Sequence, residues 1–331
     1  SSQLGTTSLD ASIDGSFDRK KGLDSKLSAR IRHLSLLGYS YRGIEAEGQL
    51  TSTSYSGTLR VADSALRLAF NGMVDLSSRL PLFRFRAEVP HADLARMHVV
   101  SDSISVGSLN LQAAIQGSNL DNLDGDLEIS GLSYRNARGT IRVDSVVLGA
   151  HNAEGGKLIM LQSKVLRGIL WGGSQYNRVP KSLNAMAQHL LPAVIDTGGH
   201  AFYHLGRDAV EYADTYPLSS DTSIVYRGEV IVGQLDSILQ VLLPAAYVAP
   251  GSRVTCDFIP QRRSLELNLR TDQLRYESIK LSGLRVRGQV RDTTAQLLLA
   301  LDSGRVAATP FDSVRTVLNI VKNHLDMRLG V

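Results

Sequence analysis

What the chain lacks narrows its chemistry before any motif is read. With one cysteine in 331 residues there can be no internal disulfide, and with no run of about twenty apolar residues there is no helix to span a bilayer. The lone Cys256 sits in Arg253-Val-Thr-Cys256-Asp-Phe258, which reads as a strand, where a small buried side chain is the expected role. Ser1 to Asp14 has neither a basic start nor an apolar centre, so no signal peptide is read there. Leu9, Ala11 and Ile13 already alternate with polar neighbours, which reads as a segment cut from something longer. A net charge of +4 and a pI near 9.2 are only mildly basic, and no basic run is interleaved with aromatics, so nucleic acid is not an expected partner.

Catalytic constellations are also missing. No phosphate loop, dinucleotide fingerprint, nucleophile elbow or zinc-type cysteine pair is found, so the chain reads as non-enzymatic and without cofactors. His200 and His204 have the i, i+4 spacing of a metal pair, but they follow Gly198-Gly199 and lack the Glu of a metalloprotease helix, which favours a solvent-facing role. Asp124, Asp126 and Glu128 fall on one polar strand face, where solvation accounts for them. Tyr39 and Tyr41 beside Arg42 could stack on sugars, and strand propensity explains them equally well.

What is present is strict period-two alternation, the signature of strands with one dry and one wet face. Leu66, Leu68, Phe70 and Val74 alternate with Arg67, Ala69, Asn71 and Asp75, and Phe83, Phe85 and Val89 alternate with Arg84, Arg86 and Glu88. Leu109, Leu111 and Ile115 continue the pattern, as do Leu127 and Ile129, Ile141 and Val143, and before them Ile44, Leu59 and Val61. Leu265, Leu267 and Leu269, with Leu284 and Val286, repeat it late in the chain. These positions are the expected lining of an apolar groove.

Turn signals such as Ala62-Asp63-Ser64 and Asp121-Asn122 punctuate the strands, which suits consecutive antiparallel pairing. Three stretches differ in texture: residues 1–165 as repetitive strands, 166–250 as a strand plus amphipathic helices bordering the groove, and 251–331 as further strands. Helices are expected from Pro180 to Pro192, around Phe202 to Tyr212, and from Leu235 to Pro244. Val314 to Leu329 suits either a helix or a hairpin turning at Lys322-Asn323, and the hairpin is favoured by the surrounding strands.

The fold class expected is therefore mainly β: a long antiparallel sheet curled into an open groove, with a few short amphipathic helices. A closed sandwich core usually recruits more aromatic volume than the 6% present, whereas strands that all face one way build one sheet with a greasy trough. Acyl chains are the natural cargo for such a trough. At about 0.8 kcal/mol per methylene, two sixteen-carbon chains lose about 25 kcal/mol in water, which only an extended apolar surface can replace.

The order of several short motifs adds a family resemblance. Tyr39-Ser-Tyr41-Arg-Gly-Ile44 with Gly48, Tyr55-Ser-Gly57, Leu66-Arg-Leu-Ala-Phe70-Asn-Gly72-Met-Val-Asp75, Pro81-Leu-Phe83-Arg-Phe85 and His91-Ala-Asp93-Leu94 resemble the AsmA-like TamB (translocation and assembly module) family of Gram-negative envelopes. Leu120-Asp-Asn-Leu-Asp-Gly125-Asp-Leu-Glu-Ile129, Tyr134-Arg-Asn136 and Val143-Asp-Ser-Val146 continue the likeness, which is strongest over residues 30–165. The resemblance implies a periplasmic segment of an inner-membrane-anchored bridge whose β-taco groove carries phospholipid toward the outer membrane. It also implies a barrel protein of the outer-membrane assembly machinery as partner, through parts outside this segment. It supplies no catalytic residues. The alternative expectation is a scaffold that offers a strand edge to outer-membrane proteins during their assembly.

Overall fold

The computed structural model describes residues 4–18, 22–153, 155–173, 175–190, 225–321 and 324–330. The alternation is realised as a mainly β fold, an open antiparallel sheet that does not close into a barrel, with two α-helices among the described residues. Contacts divide the chain into two compact units. One is Ser1–Ala150 with Gln162–Lys164 and Gln240–Leu243; the other is His151–Leu161 with Val165–Leu239 and Pro244–Val331.

The first unit is a meander. Its strands are β1 (Leu4–Asp18), β2 (Gly22–Leu36), β3 (Tyr39–Tyr41), β4 (Ile44–Thr51), β5 (Ser54–Ala62), β6 (Leu66–Asp75), β7 (Leu82–Asp93), β8 (Ser105–Gln116), β9 (Asp124–Asn136) and β10 (Gly139–Ala153). Each pairs antiparallel with the next, except that β2 pairs with both short β3 and β4. Register shifts mark an extra residue on β7, between Glu88 and Ala92, seen against both β6 and β8, and another on β9, between Ser130 and Ser133, seen against β8, so bulges fall at a similar level of two alternate strands. A bulge bends its strand and increases local twist, and a file of them bends the sheet. Gly48, Gly57 and Gly72 stand opposite one another on β4, β5 and β6. A Cβ at Gly57 would lie 2.1 Å from the Glu47 carbonyl oxygen, so these backbones approach more closely than any larger residue allows.

The second unit contains β11 (Gly156–Ser163), β12 (Leu166–Gly172), β13 (Tyr226–Val232), β14 (Ala246–Val248), β15 (Arg253–Ile259), β16 (Ser264–Tyr276), β17 (Ile279–Arg291), β18 (Thr294–Leu301), β19 (Ser303–Val306), β20 (Thr309–Phe311), β21 (Val314–Val321) and β22 (His324–Gly330). Pairing runs β12, β13, β15, β16, β17, β18, β21, β22, with β14 on β16 and β19 on β17 as side pieces. The favoured hairpin is present: β21 and β22 pair with Val321 opposite His324. Its turn residues Lys322 and Asn323 lie outside the described residues.

Helix α1 (Val179–Leu190) carries Pro180 in its first turn, where a missing N–H costs nothing. Helix α2 (Asp236–Leu242) is the later helix expected before Pro244. The expected helix around Phe202 to Tyr212 and the His200/His204 pair lie outside the described residues.

Candidate functional site: a continuous apolar sheet face

Antiparallel register converts the alternation into rows of side chains that cross the strands on one face. Ile44 stands opposite Val61, and Val61 opposite Leu68. Leu59 opens a longer row, facing Phe70, then Ala87, Leu111 and Ile129 on successive strands. Val74, Phe83 and Ile115 form a parallel row, and Phe85, Ala113 and Leu127 another. Val89 faces Leu109, and Leu66 faces Ala92 beyond the bulges. Ile141 and Val143 stand opposite Tyr134 and Leu132 on β9. In the second unit Leu265 meets Val290, Leu269 meets Val286, and Leu267 lies between Cys256 and Gly288, while Leu284 faces Thr271. Every groove position expected from the sequence is half-buried or buried, and none is exposed.

Half-burial is the informative state. Residues between two facing sheets are sealed, and residues on a flat bare face are exposed. The larger side chains of the first unit's central rows, Leu59, Phe70, Leu111, Ile115, Leu127 and Ile129, are neither, although the small Ala87 and Ala113 between them are buried; a sheet that bends toward its apolar side would shield them to this degree. The rings of Phe70 and Phe85 approach to 5.1 Å between centroids and Tyr55 lies 6.3 Å from Phe70, so aromatic surface borders the glycine file. A small buried cluster, Tyr41, Ile44, Val61, Ala65, Ala92 and Met97, closes one end of these rows.

In the second unit α1 lies on the apolar face. Its Met186 and Leu190 are buried with Tyr176, Tyr226 and Phe258, and Leu265, Val290 and Ala295 pack against that cluster. The Tyr176 hydroxyl donates to the Lys157 carbonyl at 2.6 Å, and burial, with Tyr226 nearby, pushes its pKa up to about 12. α1 therefore caps one row of the expected lining.

Some lining residues escaped the sequence pattern. The β9–β10 register skips Gly131 and Asp144, where Gly131 turns to φ 59°. Inward positions on β10 change parity there, so Val146 and Leu148 join the rows opposite Ile129 and Leu127 although they break the alternation begun by Ile141 and Val143. The glycine and the adjacent aspartate were the available signal.

The polar candidates fall to structural roles. Asp63 is 6% exposed and accepts from the Tyr39 hydroxyl at 2.6 Å and from the backbone N–H groups of Ala65 at 2.8 Å and Arg42 at 3.1 Å. Burial pushes its carboxyl up, but these bonds outweigh it and hold the group below the usual carboxylate range. The ring of Tyr41 is buried edge-on to that of Tyr39 at 4.9 Å. Asp124, Asp126 and Glu128 stand on the exposed face of β9, opposite Gln116, Ala114 and Gln112. Burial, with Asp257 beside it, pushes the Cys256 thiol up, away from the thiolate, as suits a packing group. No cluster of metal-ligand residues occurs among the described residues.

No family model, curated protein or solved structure matches the chain.

Proposed function

We propose that the chain is a non-enzymatic lipid-binding conduit whose one-sided apolar face holds phospholipid acyl chains. The observation that carries this reading is the continuity of the rows: Leu59, Phe70, Ala87, Leu111 and Ile129 cross five successive strands with no charged side chain between them and no second sheet over them among the described residues. Such a face suits a flexible hydrocarbon chain that must move, because neutral, smooth contacts replace the hydration it escapes without a polar site to trap it. The TamB-like order of motifs extends the proposal to a periplasmic segment of a bridge that moves phospholipid between inner and outer membranes.

A photo-crosslinking amino acid tests the sidedness directly. Placed at Phe70 it yields lipid adducts, and placed at the neighbouring outward position Asn71 it yields none. Equal adducts at both positions, or none at either, would sink the reading.

A second reading is supported by β22. Its Leu325, Met327 and Leu329 are 61%, 61% and 64% exposed, and among the described residues only β21 pairs with it. An edge of this kind can template an incoming strand, as a scaffold for outer-membrane barrel proteins would. A strand-forming peptide that binds this edge while lipid occupancy stays unchanged favours that reading.

A further inference from the structure

On the face of the second unit opposite the apolar rows, the register stacks arginines. Arg253 stands opposite Arg270, and Arg270 opposite Arg285; Ala300 follows, and then Arg315. Arg287 occupies the adjacent row, between Asn268 and Leu298. Like charges directly opposite one another destabilise a sheet, and the first unit avoids this by alternating Arg30, Glu45 and Arg60 in the equivalent kind of row. Here the compensation is incomplete. Arg253 pairs with Glu229 at 3.1 Å and Arg285 with Asp302, but Arg270, Arg287 and Arg315 have no ion-pair partner among the described residues.

The same face is locally apolar. Strand β18 runs Leu297-Leu298-Leu299, so it presents leucine on both sides, and Leu298 is 37% exposed beside half-buried Ala300 and Val317. The five arginines, with Asp272 as the single acid, line a hollow of about 670 Å³ that also includes Leu298 and Val317. At about 4.8 Å per strand, the row from Arg253 to Arg315 runs roughly 19 Å, longer than one phosphate needs. Guanidinium groups match phosphate oxygens in bidentate geometry, and aliphatic side chains between them accept the apolar part of an amphiphile.

We infer that this arginine row is a docking site for an anionic phospholipid surface, with headgroup phosphates on Arg270, Arg287 and Arg315 and the glycerol and upper acyl region against Leu298 and Val317. The site is independent of the apolar groove on the other face, and it would orient the protein on a bilayer whether or not that groove carries lipid.

The test is co-sedimentation of the full chain with vesicles of phosphatidylcholine containing about 30% phosphatidylglycerol, compared with pure phosphatidylcholine. The wild-type chain sediments with the anionic vesicles, less so as salt rises, and hardly at all with the neutral ones. The combined substitution Arg270→Gln, Arg287→Gln and Arg315→Gln weakens that partition at least tenfold with an unchanged melting temperature, and Arg287→Gln alone weakens it severalfold. Leu68→Asp, in the groove of the first unit, leaves it unchanged, so the two proposals fail separately. Wild-type partition by the folded triple variant, or equal binding to neutral vesicles, overturns the inference. So does release by millimolar inorganic phosphate at matched ionic strength, which would make free phosphate the ligand.

Discussion

The two units present apolar faces built from the same small set of side chains, yet they leave those faces in different states. In the first unit Leu68, Phe70 and Ile115 are only half-buried, whereas in the second α1 seals Phe258 to 2% exposure. The outer faces differ as well: signs alternate from Arg30 through Glu45 to Arg60, but Arg253, Arg270 and Arg285 stand in line. The lesson is that alternation makes a face, while residues outside the alternation decide whether that face is core or surface for cargo. By this comparison the first unit offers the less covered face, on which the proposed lipid binding rests, and the α1 region of the second is a conventional core.

The sharpest way to break the contrast is to truncate a ring in each unit. Phe258→Ala removes a sealed ring from beneath α1 and is expected to cost about 3–5 kcal/mol in urea unfolding, whereas Phe70→Ala, already partly exposed, costs less than half as much. Equal costs would mean that the first unit's face is a closed core too.

A smaller effect separates the units by pH. The Asp63 carboxyl is held below its ordinary value in the fold, so its contribution is complete above the unfolded carboxylate pKa near 4. That contribution is lost as pH falls through the lower folded value. Asp63→Asn should destabilise the first unit by about 1.5–3 kcal/mol at neutral pH, and by progressively less as acid protonates the wild type. A destabilisation that does not shrink in acid would show that the side chain's shape matters rather than its charge.

The smallest contrast concerns glycine. Gly57→Val forces a side chain into a space where even a Cβ would be 2.1 Å from backbone, and is expected to cost about 1–3 kcal/mol. Gly288→Ala in the second unit meets nothing closer than 3.5 Å and should be near neutral in thermal melts. Similar costs at both sites would remove the close approach of β4, β5 and β6 as a distinctive feature of the first unit.

Much of this was legible in the chain. The period-two pattern identified the strands and placed Leu59, Phe70, Leu111 and Ile129 on one face, because a side-chain period of two leaves register little freedom once one face is apolar. Pro180 and Pro244 bounded the helices, because proline acts on its own local backbone. Features that depend on the neighbouring strand were not legible. The parity change at Gly131 that brings in Val146 and Leu148, the stacking of Arg253, Arg270 and Arg285, and the seating of α1 on Phe258 all require cross-strand register or tertiary packing. Tyr39 and Tyr41 suit sugar or sheet equally by sequence; in the fold the Tyr39 hydroxyl is engaged by the buried carboxylate of Asp63 and Tyr41 is buried against the Tyr39 ring, contacts that local sequence does not show.

The central claim, that the open face of the first unit holds acyl chains, is tested most directly by native mass spectrometry of the purified chain, followed by organic extraction of whatever is released. The account predicts copurifying phospholipid that is lost in Leu68→Asp or Ile115→Asp and retained in the outward control Asn71→Asp, with all three variants folded. A folded wild-type chain that is consistently empty, or lipid that persists when the inward charge is introduced, would contradict it.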